Sequence, residues 1–122
     1  MSLFSEIVPS REICEELAKA GICQDDEGLF WSNYQYDEDI GDYVFAEEYW
    51  RVIQYYKTRF SSDIIAPTLP RMMDQLPDCL EVYKGLDGVW HCFMDRPKMF
   101  FDVTDKHLPN AVAKALLAIK KG

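Results

Sequence analysis

Four cysteines (Cys14, Cys23, Cys79, Cys92) and two histidines (His91, His107) are the side chains through which this chain could do covalent or metal chemistry. A nucleophilic thiol needs a base or cation within hydrogen-bond reach. His91 and Cys92 are adjacent, but neighbours on a strand point to opposite faces, so they cannot form that pair. Zinc needs ligands two to four residues apart, and the intervals Cys14 to Cys23 and Cys79 to Cys92 lack that spacing. In Asp37 to Glu48 acids fall at positions 1, 3 and 12 of a calcium loop, yet Asp42 stands where that loop needs glycine and Gly41 stands at a ligand position. Phosphate-cradling glycine loops and nucleophile elbows are absent. No catalytic residue, metal ligand or cofactor is therefore predicted, and the expectation is a protein that is not an enzyme.

The 122 residues suit one α+β domain over 1–122, and 48% apolar residues with 14% aromatics are enough for one core. The net charge of −8 disfavours direct binding to nucleic acid or an anionic membrane. Its excess is local: Asp25 to Glu48 holds nine acids and no lysine or arginine. The first ten residues lack a basic and apolar leader pattern, no run is long enough to span a membrane, and free thiols are expected, so the expected location is the cytoplasm.

The elements that must position these residues are signalled mainly by caps. Ser10 and Gly21 bracket a helix at about 11–20, with Ile13, Cys14, Leu17 and Ala18 on its apolar face. Thr68 opens a helix at about 69–76, stopped by Pro77, and Leu108 to Lys121 forms a third, with two lysines at its C-terminal end. Leu29 to Tyr34 reads as a strand and the acidic stretch after it as a loop. Tyr49 to Thr58 fits both helical and strand spacing and is read as a strand. Cys79–Lys84 and Val89–Met94 flank Asp87-Gly88, the signature of a β-hairpin within 79–94, and Met99 to Val103 follows as another strand. With a two-residue loop, Leu80, Val82, His91 and Phe93 would share one face and Tyr83, Trp90, Cys92 and Met94 the other. Neither face is polar, which implies that helices or a second subunit cover both, so a homodimer is one expectation.

Four stretches in this order resemble a group of small uncharacterised proteins of bacteriophages, prophages and related mobile elements: Glu12-Ile-Cys-Glu-Glu-Leu-Ala-Lys-Ala-Gly-Ile-Cys-Gln24, the Phe30-Trp31 strand, Ala66-Pro-Thr-Leu-Pro-Arg-Met-Met-Asp-Gln-Leu-Pro77 and the alanine-rich final helix. The resemblance implies a phage-type α+β domain accessory to replication or host takeover, and it carries over no catalytic residue.

The longer stretch from Asp25 to Tyr56 is both acidic and aromatic, including Trp31, Tyr34, Tyr36, Tyr43, Tyr49 and Trp50. Asp37, Glu38, Asp39, Asp42, Glu47 and Glu48 are accordingly the candidate contacts to a basic protein partner, with aromatic anchors and carboxylate steering, and one such partner surface is a host protein's DNA groove. The competing reading packs these aromatics inward around a solvated loop. Two other classes stay open: a small-molecule-binding or cysteine-dependent enzyme, and an acidic antitoxin or immunity protein.

Overall fold

The computed structural model describes residues 6–24, 28–46, 50–54 and 62–121. Three helices and three small antiparallel sheets make up an α+β fold. Helix α1 (Arg11–Ala20) ends as the sequence predicts: Gly21 takes a left-handed φ of 71°, and Ile22 N–H donates to the Leu17 carbonyl at 2.9 Å, closing a Schellman turn. Three residues apart on this helix, Cys14 and Leu17 are both fully buried, but in different clusters. Cys14 packs with Val8, Leu29, Val52 and Ala66, whereas Leu17 packs with Met72, Cys92 and the alanine-rich face of helix α3 (Leu108–Lys121). Helix α2 (Leu69–Met73) is shorter than expected; turns carry the chain on to Leu76 ahead of Pro77.

Strand β1 (Leu29–Ser32) is the centre of the first sheet, between β4 (Arg51–Gln54) and β5 (Ile64–Ile65). Its Phe30 is buried on one face, while Leu29 and Trp31 pack on the other with the Cys14 cluster. The strand expected over 49–58 is present as β4, and Tyr49 and 55–58 lie outside the described residues. Asn33 interrupts the strand expected to run to Tyr34, so the chain leaves the first sheet and begins a second.

That second sheet corrects an expectation. The acidic stretch is not a loop but a hairpin of β2 (Tyr34–Asp37) and β3 (Asp42–Phe45). Tyr34, Tyr36, Tyr43 and Phe45 are strong strand formers at alternating positions, Val44 adds a β-branched residue between the last two, and the acids concentrate at the turn.

The third sheet, in the order β6 (Glu81–Lys84), β7 (Trp90–Arg96), β8 (Met99–Asp105), corrects two more. Val82 pairs with Cys92 and Tyr83 with His91, so the connection is the three-residue loop Leu86-Asp87-Gly88 rather than two residues. Gly85 N–H donates to the Val89 carbonyl at 2.8 Å, Gly88 N–H to the Gly85 carbonyl at 3.0 Å, and Gly88 sits at φ 80°. A type I turn followed by a left-handed glycine makes such a loop, and one residue of register moves a strand's side chains to the other face. Val82, Trp90, Cys92, Met94, Phe101 and Val103 therefore share the inner face, packed towards α3, and Glu81, Tyr83, His91, Phe93, Phe100 and Asp102 share the outer one. Within the chain, helices cover only the inner face: Phe100 (71%) and Tyr83 (44%) stand exposed on the outer one. Replacing Gly88 by alanine forces a Cβ into the left-handed conformation, though no atom lies within 4 Å of it. The expected loss is about 1 kcal/mol of unfolding free energy, read as a lower urea midpoint at unchanged slope.

Candidate functional site

The acidic hairpin is built on cross-strand pairs. Tyr34 opposes Phe45 and Tyr36 opposes Tyr43, so four aromatic rings share one face. Tyr34 and Phe45 meet with centroids 5.3 Å apart, and Tyr36 and Tyr43 make an edge contact at 5.4 Å. Such pairs stabilise a two-stranded ribbon that would otherwise be marginal. The face they form is not core: Tyr36 is 53% and Phe45 55% exposed, Tyr43 is also exposed, and Ile40 stands out at the turn. At the same end Asp37 opposes Asp42, with Glu38 and Asp39 between them, exposed on the turn. The Asp37 carboxylate accepts from Asp39 N–H at 2.9 Å, and the Asp37 carbonyl accepts from Gly41 N–H at 2.8 Å, which fixes the turn and points its carboxylates at solvent.

Four of the six acids chosen from the sequence, Asp37, Glu38, Asp39 and Asp42, are thus gathered on one hairpin. Glu47 and Glu48 lie outside the described residues. The aromatics divide. Trp31 is half-buried and its indole N–H donates to the Pro9 carbonyl at 2.9 Å, while Trp50 lies under the Arg11 guanidinium at 4.8 Å. Both rings are occupied within the fold. Tyr36 and Tyr43 instead face water, so inward packing fails for the hairpin and holds for the tryptophans. Phe45 and Ile40 join the exposed surface without having been singled out; only the pairing register reveals them.

The thiols and imidazoles are placed differently. None of the four cysteines is in a disulfide. Burial pushes the Cys14 thiol up to about 12, and Glu12 and Glu15 add to it against the Trp31 hydrogen bond; burial and then the Asp102 carboxylate push Cys92 up to about 11. Neither is a thiolate at neutral pH. His91 lies on the opposite face of β7 from Cys92, with Nδ1 at 3.2 Å from Asp102 and its ring stacked on Tyr83 at 4.9 Å. His107 Nε2 lies 2.9 Å from the Val8 carbonyl, which ties the segment before α1 to the start of α3. Nearby, burial favours the neutral Asp105 carboxyl, but the His107 N–H, the Lys114 ammonium at 2.9 Å and Asn110 outweigh it and hold the group below its ordinary value. A cavity of about 310 Å³ at Cys79 is walled by Glu81, Phe93, Asp95 and Arg96, with no imidazole in that wall.

Among the described residues no group of three or more His, Cys, Asp or Glu is placed to hold a metal ion, and no helix is long and apolar enough to cross a membrane. No protein-family model, curated protein or solved structure matches this chain. The α+β architecture and the exposed hairpin are what its chemistry has to be argued from.

Proposed function

We propose that this protein works by contact with another protein, as an accessory factor of the phage type that its sequence resembles, and that the acidic hairpin is the contact surface for a basic partner. The observation that supports this is the combination on β2–β3 of exposed Tyr36, Tyr43 and Phe45 with Asp37, Glu38, Asp39 and Asp42 around the same turn. Aromatic rings bury large areas at little rotamer entropy and serve as interface anchors, while rim carboxylates accelerate encounter with a positively charged surface. A surface that only needed to be soluble would not spend three exposed aromatics there.

Affinity capture from bacterial lysate, with wild-type protein against two variants, tests the reading. One variant carries Tyr36→Ala and Tyr43→Ala; the other carries Asp37→Asn, Glu38→Gln, Asp39→Asn and Asp42→Asn. A basic protein retained by the wild type should be lost by both. In direct binding the tyrosine variant should dissociate faster, weakening Kd roughly 30-fold for one anchor worth about 2 kcal/mol. The charge variant should associate more slowly and respond less to salt. Recovery of the same proteins by all three baits would rule out the hairpin as the contact.

A further inference from the structure

The outer face of the third sheet carries a second constellation, on different strands from the hairpin. Across the sheet Glu81 opposes Phe93 and Phe93 opposes Asp102, which places one aromatic ring between two carboxylates. Phe100 meets Phe93 edge-on with centroids 5.8 Å apart and is 71% exposed. Asp95, two residues on from Phe93, borders the same cavity of about 310 Å³ together with Glu81 and Arg96. Asp102 faces an imidazole: His91 Nδ1 lies 3.2 Å from one of its oxygens and 3.4 Å from the other, and Tyr83 stacks flat on that ring. The carboxylates of Glu81 and Asp95 have neither a hydrogen-bond nor an ion-pair partner among the described residues.

The charge of this face decides its occupant. Around Phe93 three carboxylates stand against the one guanidinium of Arg96, so a second copy of the chain docking face to face would set like charges together. An apolar partner would strip water from Glu81 and Asp95 without pairing them. A planar cation satisfies both components at once, because a guanidinium stacks on an aromatic ring and forms paired hydrogen bonds to carboxylates, whereas an ammonium acts as a point charge.

From this geometry we infer that the outer face of β6–β7–β8 is a recognition surface for arginine side chains of a basic protein segment, with Phe93 as the stacking ring and Glu81 and Asp102 as the paired acceptors. His91 is a positioning residue, orienting Asp102. The inference does not depend on the hairpin, since no residue is shared.

The test is an amide-resolved NMR titration of the full chain with a short peptide of alternating glycine and arginine, and with its lysine counterpart. The arginine peptide should produce saturable shifts at Tyr83, His91, Phe93 and Asp102, with Kd on the order of millimolar for an isolated peptide. The Glu81→Gln/Asp102→Asn variant, altered at the acceptors alone, should weaken binding at least tenfold, and Phe93→Leu, which keeps an apolar side chain, should do the same. The Tyr36→Ala/Tyr43→Ala variant should bind at this face as well as wild type does. Three results would overturn the inference: shifts confined to 34–45, an equal response to the lysine peptide, or undiminished binding in the acceptor variant. The first would leave the hairpin reading standing, and normal binding here with failed capture by the hairpin would do the reverse.

Discussion

Truncating Leu17 to alanine should cost roughly 2–5 kcal/mol of unfolding free energy and lower Tm by about 10 °C or more. Leu17 is fully buried, and its cluster joins α1 to α2, α3 and the inner face of the third sheet through Met72, Val112, Leu116 and Cys92. Removing its isopropyl group opens a cavity that three elements would have to move to fill. The backbone of α1 would stay as it is, because its end is set by Gly21 and the Leu17 carbonyl rather than by the side chain. Position matters more than residue type here: Leu86→Ala, at the fully exposed tip of the third-sheet hairpin, should change stability by no more than about 0.5 kcal/mol. Chemical denaturation of both variants gives the comparison directly, and equal small losses would show that the Leu17 site collapses on itself without cost.

The same cluster shows why parts of the fold could be read from the chain and parts could not. Helices α1 and α3 announce themselves because end signals and apolar stripes are local: Gly21 and Ile22 close the last turn of α1, and Ser10 marks its start although only its backbone carbonyl, accepting from Cys14 N–H, joins the helix. The third-sheet hairpin is also local, and Asp87-Gly88 marks it correctly. Its register is not so local, since the same dipeptide serves as the middle of a two-residue loop or the end of a three-residue one. That single residue decides whether Phe93 and His91 lie with Val82 on the inner face or with Tyr83 outside. The outer constellation of Glu81, Phe93 and Asp102 was hidden for this reason.

The acidic hairpin was obscured by a different competition. Asp37, Glu38, Asp39 and Asp42 suggest a solvated loop, yet the aromatic residues beside them pair across two strands and need no core to do so. The four acids were legible as a cluster from composition alone. Their sharing a turn with exposed Tyr36, Tyr43 and Phe45 follows only from pairing between residues up to eleven positions apart. Burial of Trp31 is less predictable still, because its hydrogen-bond partner, the Pro9 carbonyl, lies across the fold on the segment before α1.

Alkaline pH should destabilise the protein through two buried thiols. Burial keeps Cys14 and Cys92 protonated in the fold up to about 12 and 11, whereas in the unfolded chain each releases its proton near the ordinary 9.0. Above pH 9 the unfolded state therefore binds fewer protons, and stability falls as pH rises. What the neutral thiols contribute is fully present below pH 9 and is lost progressively as the pH climbs towards the folded values. The limiting slope is about 1.4 kcal/mol per pH unit for each thiol, so two of them could remove on the order of 3 kcal/mol between pH 9 and 10.5. Lysines and tyrosines titrate in the same interval, but they are common to the wild type and a Cys14→Ala/Cys92→Ala variant. Urea unfolding of both at pH 7, 8, 9 and 10 should start with the variant less stable, because two buried sulfur atoms are gone, and should converge as the wild type loses stability faster. Iodoacetamide should meanwhile modify half-buried Cys23 and Cys79 of the folded wild type well before Cys14 and Cys92. Parallel curves, or uniform labelling at pH 8, would mean that the two thiols are open to water and that the clusters they belong to are looser than their packing indicates.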